Sequence, residues 1–308
     1  MNANHLITLA DWTVSDIEEV LDLAHGMKAR LRTGSLEPSQ GARTLALVFE
    51  KRSMRTRVSF EVAMTQLGGA SLFLSKDDIN LGEREPVKDG ARVLSRYVDA
   101  VAARVYEHEM VEELAAYSSI PVINALSDQA HPCQALADIM TVEERFYEPR
   151  DVTVAYVGDA NNVARSLAVI CARLGIDFRI AAPPGYRFDD EFEQLLRGFA
   201  EESGSLLEVT DSPQEAVKWA HVVYTDTWVS MGQEEEARQR MEAFEGYCVD
   251  EKLCESATTN HIVLHCLPAH RGHEITDAVM EGRHSAIFDQ AENRLHAQRA
   301  LLQLLLTD

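Results

Sequence analysis

Short apolar runs alternate with longer amphipathic stretches along most of this chain. Runs with strand character occupy residues 44–49, 70–74, 100–105 and 121–125. Between them lie stretches with helical spacing of apolar residues: 5–34 (interrupted at 11–14), a helix opening at Ser53, 87–98, 109–117, and a long one from Pro132 to about 147. Gly68-Gly69 stops the second of these, and 75–86 is a polar loop longer than most connections inside a compact domain. Glu148-Pro149-Arg150-Asp151 then reads as a boundary. A second alternating series follows, with strands at 152–157, 177–181, 206–210, 222–225 and 262–265. Its helices fall at 164–174 and 189–202, at a short segment opened by Pro213, around Met241 and Leu253, and finally at 285–306. Such alternation predicts an α/β fold: two doubly wound parallel-sheet domains, 1–147 with the last helix (289–308) and 148–288. The halves share this pattern but no sequence repeat.

Composition narrows the class. A chain of 308 residues with 46% hydrophobic content holds a full core in each half. No apolar run of ~18 residues is present, and the first residues lack a basic region followed by an apolar stretch, so a cytoplasmic protein is expected. Cys133, Cys171, Cys248, Cys254 and Cys266 are scattered and odd in number, which predicts buried thiols rather than disulfides. The formal charge is −21, with 50 acidic and 29 basic residues, and only Lys28, Lys51, Lys76, Lys88, Lys218 and Lys252 are lysine. That balance argues against nucleic acid. It fits either an ordinary solvated surface or a protein made for high salt, where self-repulsion is screened.

The chemistry gathers at strand ends. In open α/β sheets ligands bind beyond the carboxyl ends of strands. Ser53, Arg55, Thr56, Arg104, His131 and Gln134 follow strands of the first half, and Asn161, Asn162, Asp226, Ser230, Cys266 and Pro268 those of the second. A cleft between the halves would collect both sets. Ser53 opens a helix whose first turn carries Arg55, Thr56 and Arg57. Unpaired N–H groups, a hydroxyl and guanidinium forks there suit a phosphate, though a plain capped helix with solvated arginines gives the same pattern. Taken singly, Arg104 reads equally as a surface residue, His131 as a helix cap, the Asn pair as turn formers and Cys266 as a small buried hydrophobe. Gly158-Asp-Ala-Asn-Asn lacks the glycines of a dinucleotide fingerprint, and no Walker-type Gly-Lys-Ser/Thr occurs. His261 and His265 sit in a strand pattern without an intervening Glu, which argues against a metal site.

Taken together, these residues resemble the ornithine carbamoyltransferases over nearly the whole chain. Ser53-Met54-Arg55-Thr56-Arg57 is similar to the family's carbamoyl-phosphate motif and His131-Pro132-Cys133-Gln134 to its His-Pro-x-Gln motif. The segment from Asp226 to Gly232 is similar to its Ser-Met-Gly loop, His265-Cys266-Leu267-Pro268 to its ornithine-site segment, and Arg294 to an arginine that the last helix returns to the first domain. The resemblance implies carbamoyl transfer from carbamoyl phosphate to L-ornithine, in a trimer or an assembly of trimers, without metal or cofactor. Ser53, Met54, Arg55, Thr56 and Arg104 would hold the phosphate. Thr56, Arg104, His131 and Gln134 would polarise the carbonyl, with Arg294 close to the carbamoyl group. Asn162, Asp226, Ser230 and Met231 would hold the amino-acid end of ornithine, and Cys266 and Leu267 would lie beside its side-chain amine. Asn80 stands where the family sends a longer residue, Gln or His, to the neighbouring subunit's phosphate. The competing readings are a sibling enzyme for aspartate, putrescine or an acylated ornithine, and a non-catalytic sensor of phosphorylated metabolites.

Overall fold

The computed structural model describes residues 3–146, 148–229 and 234–307. Its contacts divide the chain into two compact units, 1–140 with 292–308, and 141–291. The division falls inside a helix, ahead of the Glu148–Asp151 turn.

The first unit runs α1 (Val14–Arg32), β1 (Thr44–Phe49), α2 (Met54–Gln66), β2 (Ala70–Ser75), α3 (Lys76–Ile79), α4 (Val87–Leu94), β3 (Ala100–Arg104), α5 (His108–Tyr117) and β4 (Val122–Leu126), then enters α6 (Pro132–Arg145). The second runs β5 (Thr153–Val157), α7 (Asn162–Leu174), β6 (Asp177–Ala181), α8 (Asp190–Ser203), β7 (Leu207–Thr210), α9 (Pro213–Val217), β8 (Val222–Thr225), α10 (Ala237–Ala243), α11 (Glu251–Cys254), β9 (Ile262–His265) and α12 (Asp277–Met280), and α13 (Ile287–Leu305) closes the chain. Both sheets are parallel, in the orders β2-β1-β3-β4 and β7-β6-β5-β8-β9. Their central strands are continuous apolar runs because helices cover both faces. Every residue of β3 and β5 is buried.

Three sequence expectations shift. Residues 5–34 do not form helix throughout: Leu6 bridges to β4, a single tight turn covers Leu9–Asp11, and α1 starts only after Thr13. The Thr13 side chain accepts from the Asp16 amide while the Asp16 carboxylate accepts from Thr13, a reciprocal cap that fixes the start. The 75–86 loop contains one helical turn, α3, and a Leu81–Glu85 bridge. The helix expected over 87–98 stops at Leu94, where Ser95 closes it and Arg96 and Tyr97 turn back toward β3.

Register places the site. Phe49 lies opposite both Ser75 and Arg104, and Arg104 opposite Leu126, so the first four strands end at one level. In the second unit Val157, Thr225 and His265 are successive partners across β5, β8 and β9. The residues just past these ends must therefore emerge side by side.

Candidate active site

In the first unit α2 begins directly beyond β1. Ser53 is its N-cap, extended at φ −159°, and its hydroxyl accepts from the Thr56 amide at 3.2 Å. One of the helix's first-turn N–H groups is thus used, at the end of a helix that binds anions. The Met54 side chain is largely exposed, so a role for this residue lies in its backbone. Thr56 is buried, and two guanidinium groups converge on its hydroxyl oxygen: Arg104 Nη1 at 3.5 Å from the end of β3, and Arg294 Nη2 at 3.3 Å from α13.

Arg294 is held along its whole head. Its Nε donates to Gln298 Oε1 at 3.0 Å and its Nη1 to Gln134 Oε1 at 2.7 Å, while Gln134 Nε2 donates to Asp138 Oδ1 at 2.8 Å. His131 precedes α6, buried beside these groups, and its carbonyl accepts from the Gln134 amide at 3.0 Å. Burial, and then the positive charges of Arg294, Arg104 and Arg55, hold its imidazole well below the usual histidine range. The ring is therefore neutral at physiological pH. A neutral imidazole among three arginines can donate to a carbonyl oxygen without taking its own proton from solution.

In the second unit Asp226 follows β8 and is buried. The Cys266 thiol donates to its Oδ1 at 3.0 Å, and Asn161 Nδ2 to its Oδ2 at 3.0 Å. Asn161 also caps α7, its Oδ1 accepting from the Val163 and Ala164 amides. Beyond β9 the chain turns sharply. Leu267 has φ +59° and the Leu267–Pro268 bond is cis. The turn is braced by His265, whose Nδ1 accepts the Leu267 amide at 2.9 Å. The imidazole proton then sits on Nε2, which donates to Glu274 Oε1 at 3.2 Å. Burial alone would raise the Glu274 carboxyl; the bonds from His265 and the His270 amide outweigh it and hold it below the usual carboxylate range. Ligand atoms of Asp226, His265 and Cys266 lie within 4.8 Å of one another. Both nitrogens of His265 are committed elsewhere, so the trio does not fit a metal.

The sequence expectations separate accordingly. Ser53, Arg55, Thr56, Arg104, His131, Gln134 and Arg294 gather in the first unit, and Asp226, Cys266 and Leu267 in the second. Asn161 reaches Asp226, and Asn162 is the first residue of α7. Asn80, left-handed at φ +42°, donates to Glu83 Oε2 at 3.0 Å. Ser230 and Met231 lie outside the described residues. His261 shares nothing with His265: its ring stacks on His284 at 4.0 Å. Sequence reasoning missed Asp138, Gln298 and Glu274. The first two had a signal, since each lies four residues after a recognised site residue on the same helix (Gln134, Arg294), the spacing at which helical side chains meet. Glu274 had none, because its contact with His265 spans an irregular loop.

Comparison with known proteins agrees with this geometry. Residues 4–144 match the carbamoyl-phosphate-binding domain of the aspartate/ornithine carbamoyltransferases, and residues 150–305 match the family's aspartate/ornithine-binding domain. The ornithine carbamoyltransferase of Archaeoglobus fulgidus is 50% identical over 302 residues, covering 98% of this chain and 97% of its own length. That of Bacillus subtilis is 50% identical over 301 residues, covering 98% and 93%. The solved ornithine carbamoyltransferase from Pyrococcus furiosus superposes with a TM-score of 0.93 at 48% identity, covering 97% of this chain and 95% of that one. The chain belongs to the aspartate/ornithine carbamoyltransferase family.

Proposed function

We propose that this enzyme transfers the carbamoyl group of carbamoyl phosphate to the side-chain amine of L-ornithine, giving L-citrulline and phosphate. The observation that carries the reading is the convergence of Arg104 and Arg294 on the Thr56 hydroxyl at the N-terminus of α2. Ser53, the Met54 amide, Arg55, Thr56 and Arg104 bind the phosphate dianion. Planar guanidinium forks pair two oxygens at once, which lysine does not. As the amine attacks, negative charge grows on the carbamoyl oxygen. Thr56, Arg104, His131, Gln134 and Arg294 are fixed donors for that charge, each worth roughly 2.7–4 kcal/mol in comparable oxyanion sites. Because the cluster is already hydrogen-bonded internally, little reorganisation accompanies the step.

Asp226 supplies the counter-charge for ornithine's α-ammonium, with Asn162, Ser230 and Met231 completing that end. A buried carboxylate there disfavours an acylated ornithine, whose α-nitrogen carries no charge. Cys266 and Leu267 line the approach of the attacking amine, which must be unprotonated to react. Neither metal nor cofactor enters the chemistry. The same reaction serves arginine synthesis and arginine breakdown. Among the described residues no helix is long and apolar enough to cross a membrane, which fits a cytoplasmic location. A homotrimer is proposed on family resemblance. If Asn80 meets a neighbour's phosphate, only its amide N–H end can do so, and Glu83 already takes part of that donor capacity.

Citrulline formation with a panel of amines tests the assignment. Arg55→Ala is expected to raise the carbamoyl-phosphate KM at least tenfold, and Asp226→Ala to raise the ornithine KM with a smaller change for carbamoyl phosphate. Normal turnover of Arg55→Ala at low carbamoyl phosphate would refute the phosphate site.

A further inference from the structure

The turn between β4 and α6 delivers His131, and the way it is tied down involves residues that neither family motif contains. Ser127 is fully buried, and so is Asn124 in β4. Ser127 is bonded to both backbone polar groups of Ala130, the residue immediately before His131. Its amide donates to the Ala130 carbonyl at 2.9 Å, and its hydroxyl accepts from the Ala130 amide at 3.3 Å. The same hydroxyl accepts from Asn124 Nδ2 at 3.1 Å. Asn124 Nδ2 in turn donates to the Ile7 carbonyl at 3.0 Å, and the Asn124 carbonyl accepts from the Cys133 thiol at 3.6 Å.

A serine hydroxyl has a single proton and two lone pairs. With N–H groups of Asn124 and Ala130 on its lone pairs, the hydroxyl donates across its 2.7 Å contact with Nδ1 of His108 on α5. His108 is itself buried, with Nε2 facing Glu112 at 3.8 Å. The imidazole therefore accepts at Nδ1 and carries its proton on Nε2. Its acceptor fixes the direction of the Ser127 hydroxyl, and the hydroxyl fixes Ala130.

We propose that Ser127 and His108 are positioning residues for His131 and Gln134: they act through the 127–130 turn and set where the imidazole meets the carbamoyl oxygen. The inference rests on the donor role given to His131 above. Misplacing a fixed donor by a fraction of an ångström weakens the transition state more than substrate binding. The signature is thus a fall in kcat with little change in either KM.

The test compares Ser127→Ala, His108→Leu, His108→Gln and the double variant Ser127→Ala/His108→Leu, with His131→Ala as reference. Melting temperature and carbamoyl-phosphate affinity are measured alongside kinetics. Ser127→Ala and His108→Leu are each expected to lose about tenfold or more in kcat, with both KM values within about threefold. The double variant should lose no more than the worse single one, because one path is broken. Glutamine presents an acceptor oxygen to Ser127, so His108→Gln should recover most of the loss. A purely structural role predicts lowered melting temperature with unchanged kcat per folded enzyme, and that outcome overturns the proposal. Equal losses in His108→Gln and His108→Leu also overturn it. If His131→Ala keeps full activity, the donor role of His131 fails and the positioning role falls with it. If His131→Ala is inactive while Ser127→Ala and His108→Leu are normal, only the positioning role falls.

Discussion

At the residue scale His131 shows how one environment sets both chemistry and stability. Burial and three neighbouring arginines keep it neutral when folded, whereas the unfolded chain presents an ordinary histidine. The folded-state value lies below the unfolded one, so below about pH 6.5 the unfolded state binds more protons. Stability from this residue is complete above that pH and is lost as pH falls. The melting temperature is therefore expected to drop between pH 7 and 5, and His131→Asn, which does not titrate, should show a shallower drop than the parent. His5, His221, His261 and His296 are likewise held low, chiefly by burial, and remain in both proteins, so the difference between the two slopes isolates His131. Parallel slopes would remove the buried neutral imidazole from the account. The same neutrality bears on rate. A rise of activity with pH should survive in any His131 variant that retains turnover, because it belongs to deprotonation of the substrate amine.

At the scale of elements, the ends of α2 were legible from sequence for definite physical reasons. Ser53 is a good capping residue and its hydroxyl does cap. Gly68-Gly69 marks the other end: Gly68 adopts φ +87°, and a Cβ on Gly69 would lie 2.7 Å from the Arg43 carbonyl oxygen and 3.2 Å from that of Gln40. Gly69→Ala should therefore destabilise the protein by about 1–3 kcal/mol: the Met64 Cε, nearer still, can swing away, but the backbone carbonyls cannot. Gly26, exposed within α1, has nothing within 4 Å of a built Cβ, and Gly26→Ala should stabilise by ~0.5–1 kcal/mol. A urea midpoint for Gly69→Ala at or above the parent's would contradict the packing described for the α2–β2 turn, and a lowered one for Gly26→Ala would contradict the open face of α1. Other features gave no such local signal. The helical turn at Lys76–Ile79 is too short for periodicity to show. The contact of Asn161 with Asp226 depends on where α7 begins, a boundary that pattern alone places only within a few residues. The strand-end rule picked out the candidates that lie just past strands because parallel register brings strand ends level, whereas Arg294, within α13, came only from the family resemblance. It could not find His108 or Glu274, whose parts are played from a helix and a loop.

For the whole molecule the charge is the dominant fact. An anionic substrate meets a chain of formal charge −21, yet the residues given to phosphate are neutral or cationic, with Arg55, Arg104 and Arg294 gathered in one place. Local fields decide binding because screening cuts off distant charge beyond about 10 Å at 0.1 M salt. Stability is different, because it sums over the surface. Some acidic residues are paired, as in Arg240 with Asp159 at 2.6 Å and Arg57 with Glu61 at 2.9 Å. Yet 50 acids against 29 bases leaves most of the excess unpaired, and the compact state concentrates it more than the unfolded chain does. We therefore propose salt adaptation. The melting temperature should rise by at least about 5 °C between 0.1 and 2 M KCl, equivalent to ~1–3 kcal/mol for units of this size. Sodium sulfate would strengthen apolar burial as well, so KCl is the cleaner probe of screening. A melting temperature already at its plateau in dilute buffer would assign the acidity to ordinary solvation, and the −21 would then carry no message about the medium in which the enzyme works.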